Sequence, residues 1–150
     1  RSMVWLHRVR RVITRPPGPG ERFDSVTPEV FEGMRRDGAF CLHWEAHGLR
    51  YGLPAEVLAR TGRGQDAVAN LSRRALPEAA AVFPRLLVLS LVASPEVLAA
   101  RLAGRGREGV EDIRERLGRA EMDLPAGLWR SVTIRNDGPL EETLAQAVAA

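Results

Sequence analysis

Residues 86–92 read LLVLSLV, a short apolar run that only Ser90 interrupts. Such a run is typical of a strand buried on both faces of a parallel sheet. The residues on either side predict helices, one over Leu76–Val82 and one opened by Ser94-Pro95-Glu96. Because helix and strand alternate along the chain, we predict an α/β fold in which helices flank a parallel sheet.

The N-terminal half adds a hairpin to this scheme. Its predicted elements are a strand over Val4–Thr14, a stiff loop over Pro16–Gly20, a helix opened by Thr27-Pro28-Glu29 and stopped at Asp37-Gly38, strands over Ala39–Trp44 and Leu49–Tyr51, and a short helix over Pro54–Arg60. We therefore expect a small mixed insertion near residues 39–52.

The C-terminal half continues the alternation. Its predicted elements are a strand over Asp66–Leu71, a helix over Val97–Leu102, a helix with Val110, Ile113, Leu117 and Ala120 on one face, a strand over Trp129–Ile134, a turn at Asn136-Asp137-Gly138 and a final helix from Pro139. The chain shows no internal repeat, and its length fits one domain, 1–150.

Composition narrows the class of protein. The longest apolar run is too short to span a bilayer, and the single cysteine, Cys41, allows no disulfide framework, so we predict a cytoplasmic protein without a membrane span. All 22 basic residues are arginine, yet the formal net charge is only +3, because acids are mixed among them. With aromatic residues at 5%, nucleic-acid binding is not expected.

A glycine-rich segment, Gly104–Gly109, formally matches the dinucleotide-binding pattern G-x-G-x-x-G. It follows a predicted helix instead of a strand, so we reject that interpretation. What remains is a connector that carries Arg101, Arg105 and Arg107. It is interpreted either as a solvated arginine-rich hairpin or as a lid whose arginines close over phosphates.

Other polar residues give weaker signals. His43 and His47 have no third ligand nearby, so we predict no metal site there. Ser72 and Arg73 follow a predicted strand, where open α/β sheets place ligands, although a helix cap would also put serine there. The hairpin aromatics are interpreted as core packing in preference to a ligand platform: Trp44 and Tyr51.

Three stretches taken together resemble the ribose 1,5-bisphosphate phosphokinases, which are relatives of guanylate kinase. They are RVITR at 11–15, FCLHWEAHGLRYG at 40–52 and SPEVLAARLAGRGRE at 94–108. Shorter matches support them, namely NLSR at 70–73 with Leu76-Pro77, Arg116-Leu117 and Asn136-Asp137-Gly138. The likeness covers nearly the whole chain and implies a P-loop kinase-like fold with an acceptor-binding region at 28–60 and a lid at 101–119.

This resemblance implies a reaction: ATP with Mg²⁺ phosphorylates ribose 1,5-bisphosphate to phosphoribosyl pyrophosphate, in phosphonate breakdown. It also implies site residues. On the acceptor side they are Arg15, which would grip a phosphate, and Tyr51 with Gly52, which would line the same pocket; Trp44, Ser72 and Arg73 are further candidates for substrate binding. Toward the transferring group and the nucleotide they are Arg105 and Arg116 as catalytic lid arginines, then Arg101, Arg107 and Asn136.

The chain departs from the guanylate kinase pattern at two positions. Gly18 stands where guanylate kinases have a second phosphate-gripping arginine, and Leu42 aligns with the acid that reads guanine. Without that acid the guanine edge would stay unpaired, so a base-free sugar phosphate fits better than GMP.

A larger departure concerns the donor side. Members of this family open with a strand, a G-x-x-x-x-G-K-[ST] loop and a helix, and this sequence contains neither that loop nor any lysine. We hypothesise a fragment of a longer kinase or a diverged chain, and we expect exposed apolar surface on the remaining sheet.

Two further functions stay open: a guanylate-kinase-like nucleotide kinase, and a binding module without catalysis. Replacing Arg105 and Arg116 with alanine separates a kinase from a binding module. A kinase should lose turnover by orders of magnitude, whereas a binding module should keep its affinity for its ligand or partner.

Overall fold

The computed structural model describes residues 6–92, 94, 96–97, 100, 124–125, 127–138 and 140–149. Two compact units, Arg1–Pro84 and Arg85–Ala150, divide the chain. The predicted lid at 101–119, with its four site arginines, lies outside the described residues, and the assignment of both units to one domain stays a prediction.

A four-stranded mixed sheet organises the N-terminal unit. Its strands are β2 (Val12–Ile13), β3 (Asp24–Ser25), β4 (Phe40–Ala46) and β5 (Leu49–Pro54), in the order β3-β2-β5-β4. β2 runs parallel to β3 and antiparallel to β5, and β4 and β5 form a hairpin. The mixed insertion predicted near residues 39–52 is confirmed.

The segment 4–14, predicted as one strand, is divided. In the described part, β1 (His7–Arg8) pairs in parallel with β6 (Ala67–Val68), whereas β2 belongs to the mixed sheet. The division arises because the two ends of the segment pair with different strands. The Val9 amide donates to the carbonyl of Val68 in β6, whereas the Thr14 amide donates to the carbonyl of Arg50 in β5. The strand predicted over Asp66–Leu71 is correspondingly reduced to β6.

The β4–β5 hairpin turns where the sequence predicts. His47 and Gly48 have φ of 58° and 70°, the left-handed conformation that a tight hairpin turn requires at both central residues. Along β4, side chains alternate between buried and exposed, as they do in a strand with one covered face.

Helix α1 (Pro28–Arg36) begins and ends as predicted. Thr27 caps it by accepting a hydrogen bond from the Val30 amide at 3.2 Å. Phe31, only 2% exposed, stacks on Phe40 of β4 at a centroid distance of 4.7 Å, which fixes the helix on the sheet. The remaining helical elements of this unit are α2 (Glu56–Gly62), a 3₁₀ turn (Arg73–Ala75) and α3 (Leu76–Val82).

In the C-terminal unit, β7 (Leu87–Val92) pairs in parallel with β8 (Arg130–Arg135), and α4 spans Leu140–Ala149. The parallel pairing is confirmed, but burial of β7 on both faces is wrong. Val88 and Ser90 are buried, whereas the side chains that point to the other face are exposed: Leu87, Leu89 and Leu91. The expected exposed apolar surface therefore lies along this strand.

The ends of these strands are tied by loop hydrogen bonds. The Asn136 amide donates to the Val92 carbonyl at 2.6 Å, and Asp137 accepts from the amide of Ser94. Ser94 in turn accepts from the Val97 amide at 3.4 Å, as a helix cap does. In the ranges described, no helix is both long and apolar enough to cross a membrane.

Candidate functional site

Strand β2 and its continuation present basic side chains on one face of the mixed sheet. Ile13 pairs with Tyr51 across the β2–β5 ladder, and residues two apart on a strand share a face. Arg11 therefore lies on the same side as Tyr51, and Arg15, in the bend that follows β2, is close enough to Tyr51 for that side chain to influence its pKa. Tyr51 itself stacks on Trp44 of β4, with ring centroids 5.3 Å apart and planes 4° from parallel.

Arg15 is held firmly in place. Its guanidinium makes two hydrogen bonds to the Glu21 carboxylate, at 2.7 and 3.1 Å, and stands 4.7 Å from the centre of the Phe23 ring. Glu21 also accepts from the Gly18 amide at 2.7 Å, which closes the loop between them. The hydrogen bond with Glu21 is the main reason that the pKa of Arg15 is raised, with Tyr51 a smaller cause.

Arg11 has a different environment. Its guanidinium carbon is 5.7 Å from the centre of the Tyr51 ring, and the residue is half-buried. Burial lowers the pKa of Arg11, and the positive charge of Arg15 lowers it further, against the opposing influence of Tyr51 and Glu21. We define Arg11, Arg15, Glu21 and Tyr51 as the arginine cluster. Sequence reasoning placed Arg15 and Tyr51 in a site but missed Arg11, although its position four residues before Arg15 in the stretch RVITR was the available signal.

Trp44 and Gly52 support the arginine cluster from the hairpin. Trp44 is 8% exposed, consistent with its interpretation as core, and its indole nitrogen has no hydrogen-bond partner among the described groups. Gly52 faces the Phe40 ring so closely that a Cβ there would lie 2.6 Å from two ring atoms. The structure thus gives Gly52 a packing role, and its contact with an acceptor stays a prediction.

Ser72 and Arg73 lie at the start of the 3₁₀ turn before α3. The Ser72 hydroxyl is buried without a partner in the described part of the chain, and it makes no capping hydrogen bond. No hydrogen bond, ion pair or ring contact between described side chains joins Ser72 to the arginine cluster. Asn136 belongs to the C-terminal unit, in the loop after β8.

A separate groove of about 420 Å³ lies among α1, α3 and the hairpin. Its charged lining includes Glu32, Arg35, Glu45, Arg50 and Glu78. Arg50 bridges Glu32 and Glu45 at 3.2 and 3.1 Å, and the hydrogen bond from Arg35 lowers the pKa of Glu32. Three carboxylates facing two guanidiniums disfavour a phosphate here.

The arginine cluster has the opposite balance, with two guanidiniums and one carboxylate. A guanidinium presents paired donors that match phosphate oxygens, so this face suits a phosphorylated ligand. Among the residues that the structure describes, no group of three or more His, Cys, Asp or Glu side chains could hold a metal ion.

The overall fold has solved counterparts. A guanylate kinase from Anaplasma phagocytophilum superposes with a TM-score of 0.67 at 16% identity, over 97% of this chain and 73% of that one. Together with the mixed sheet of the N-terminal unit and the parallel strand pair of the C-terminal unit, this gives the chain a guanylate-kinase-like α/β fold.

Curated relatives define the family. No family model matches the chain. It is 43% identical over 145 residues to a ribose 1,5-bisphosphate phosphokinase PhnN of Ruegeria sp., and 46% identical over 145 residues to one of Rhizobium etli. These matches cover 96% of this chain and 76% and 73% of the relatives. A bifunctional ribose 1,5-bisphosphokinase-thymidine phosphorylase of Cupriavidus necator is 42% identical, over 94% of this chain and 24% of its own length. The chain belongs to the ribose 1,5-bisphosphate phosphokinase family.

Proposed function

We propose that this chain takes part in the ATP-dependent phosphorylation of ribose 1,5-bisphosphate to phosphoribosyl pyrophosphate, in the cytoplasm and within phosphonate breakdown. The observation that carries the proposal is the arginine cluster, a half-buried cationic site beside the mixed sheet of a chain from this family. In this role Arg15 binds the phosphate that accepts the new phosphoryl group, and Glu21 positions Arg15.

The hairpin favours a ligand without a base. Leu42, at the position where the resemblance expects the guanine-reading acid, is only 3% exposed and belongs to the core. A guanine edge placed there would find no charged acceptor, and unpaired polar groups cost about 1–3 kcal/mol each. A phosphorylated ribose needs no such partner, so it fits this hairpin better than GMP does.

The assignment of the phosphoryl donor and its binding residues is based on the family to which the chain belongs. ATP with Mg²⁺ would supply the phosphoryl group, with Arg105 and Arg116 reaching it and Arg101, Arg107 and Asn136 near the nucleotide. The described side chains offer no ligand set for Mg²⁺, and the sequence contains no lysine for a G-x-x-x-x-G-K-[ST] loop. We therefore assign no step to the metal and no proton acceptor for the sugar phosphate.

Calorimetric titration tests the acceptor assignment. Ribose 1,5-bisphosphate, GMP and ATP-Mg²⁺ are titrated separately into the chain at moderate salt. We expect ribose 1,5-bisphosphate to bind more tightly than GMP. Arg15→Met should weaken it by about 10- to 150-fold, since hydrogen bonds to charged groups are worth about 1.5–3 kcal/mol.

Arg10, the residue before Arg11, provides a matched control. Arg10 is exposed and paired with Asp24 at 2.6 Å, so Arg10→Met removes an arginine from the same segment without touching the arginine cluster. Preference for GMP, or equal losses in Arg15→Met and Arg10→Met, would overturn the proposal.

A further inference from the structure

In the described part of the chain, no carboxylate lies within ion-pair distance of the Arg11 guanidinium, and Glu21 acts on it only at longer range. The neighbours of Arg11 in sequence and space have one: Arg10 pairs with Asp24 at 2.6 Å, and Arg15 pairs with Glu21 at 2.7 Å. Among the described residues, the Arg11 side chain makes no ion pair or hydrogen bond, and its ring contact is with Tyr51; its backbone carbonyl accepts from the Asp24 amide at 2.8 Å. Burying a charge without a partner is unfavourable, so the position calls for an explanation.

Packing alone explains Arg11 poorly. A methionine or leucine would cover the Tyr51 ring without the cost of a half-buried charge, and Arg15 adds repulsion between like charges. Arg15 already has Glu21 as its partner, through both nitrogens of its fork. An anion bound beside Tyr51 would remove both penalties at once, since it would pair with Arg11 and screen it from Arg15.

The spacing suits a ligand with two anionic groups. Arg11 directly precedes β2, and Arg15 lies in the bend that follows it. The Arg11 guanidinium stands 5.7 Å from the centre of the Tyr51 ring, and Tyr51 also influences the pKa of Arg15, so both cations face the same tyrosine. A ribose ring that carries a phosphate at each end could therefore contact one guanidinium with each phosphate.

Resting on the proposed function, we infer that Arg11 binds the second phosphate of the acceptor, at the 5-position, and thereby selects a bisphosphorylated sugar. Arg15 binds the 1-phosphate, which receives the transferred group. Gly18 stands where guanylate kinases are expected to carry their second arginine, so the second cation of this site comes from the strand instead of the loop. Tyr51 separates the two phosphate positions.

The test crosses protein variants with ligands that lack one phosphate. Arg11→Met, Arg11→Lys, Arg15→Met and Arg10→Met are titrated calorimetrically with ribose 1,5-bisphosphate and with ribose 1-phosphate. Methionine keeps the apolar stem over Tyr51, and lysine keeps the charge but loses the paired donors. Thermal unfolding of every variant confirms that the fold is retained.

We expect Arg11→Met to weaken the binding of ribose 1,5-bisphosphate by about 10- to 150-fold and the binding of ribose 1-phosphate by less than about threefold. The affinity of Arg11→Lys for ribose 1,5-bisphosphate should fall between those of wild type and Arg11→Met. Arg15→Met should bind both ligands more weakly, and Arg10→Met should bind both as wild type does.

The failures are distinguishable. If wild type binds ribose 1,5-bisphosphate in preference to GMP but Arg11→Met matches Arg10→Met, the role of Arg11 is refuted and the proposed function stands. Equal losses for both sugar phosphates also refute it, since Arg11 would then not read the second phosphate. If wild type prefers GMP, both the proposed function and the role of Arg11 are overturned.

Discussion

Replacing Gly52 with alanine should destabilise the protein, although Gly52 lies in β5, where the backbone conformation allows any residue. A Cβ at Gly52 would lie 2.6 Å from two Phe40 ring atoms and 2.9 Å from a third. Carbon atoms pack at about 3.5–4.0 Å, so the ring must move by about 1 Å. The stack on Phe31 at 4.7 Å, with Phe31 only 2% exposed, prevents a shift toward the helix.

The magnitude follows from two opposing effects. Overpacking of this kind costs about 1–3 kcal/mol, and disturbing an aromatic pair contributes about 0.5–1.5 kcal/mol within that range. Alanine restricts the unfolded chain more than glycine does, which returns about 0.4–1 kcal/mol. We expect a net loss of about 1–2 kcal/mol in the free energy of unfolding. At about 2–4 °C per kcal/mol for a chain of this length, Tm should fall by roughly 2–8 °C.

The assay is urea and thermal unfolding of a double-mutant cycle. Phe40→Ala removes all three of the ring atoms that the new Cβ would meet, so in that background Gly52→Ala should cost almost nothing. Gly33→Ala is the matched control, because Gly33 lies inside α1 with no atom within 4 Å of its added Cβ. That control should stabilise the protein by about 0.5–1 kcal/mol. An equal cost of Gly52→Ala with and without the Phe40 ring would refute the steric argument.

Three other predictions concern the cap of α1, the loop of the arginine cluster and the half-buried thiol of Cys41. Thr27→Ala should lower the free energy of unfolding by about 1 kcal/mol, because the Val30 amide loses its acceptor, and Thr27→Ser should stay near wild type in urea denaturation. Glu21→Gln should weaken ribose 1,5-bisphosphate binding in calorimetry by several-fold, about 3- to 10-fold, because Arg15 loses its charged partner; unchanged affinity would show that Glu21 does not position Arg15. Burial raises the pKa of the Cys41 thiol, so the folded chain should react with a thiol reagent near pH 8 much more slowly than the urea-unfolded chain. Because the folded pKa is the higher one, the stabilising contribution of the neutral thiol is complete below the unfolded pKa of about 8.5 and is lost as the pH rises toward the folded value; Cys41→Ala should show a smaller decline over that range.

The sequence by itself determined the elements whose signals are local. Thr27, Pro28 and Asp37 mark the ends of α1 because capping and proline geometry depend on neighbouring residues only. His47-Gly48 marks the hairpin turn for the same reason, since its backbone needs positive φ. The alternation of helices and strands was enough to predict parallel pairing, which β7 and β8 show.

Only the tertiary structure decided which strands pair and which side chains meet. Arg11 and Tyr51 are 40 positions apart, and they meet because the ladder pairs Ile13 with Tyr51. The same long-range pairing divides segment 4–14 between two sheets, and it places Gly52 beneath Phe40. Neighbours along the chain carry no signal for such contacts, because they depend on the register between distant strands. The sequence therefore identified Arg15 and Tyr51 as site residues, whereas the second cation of the site became visible only in the folded chain.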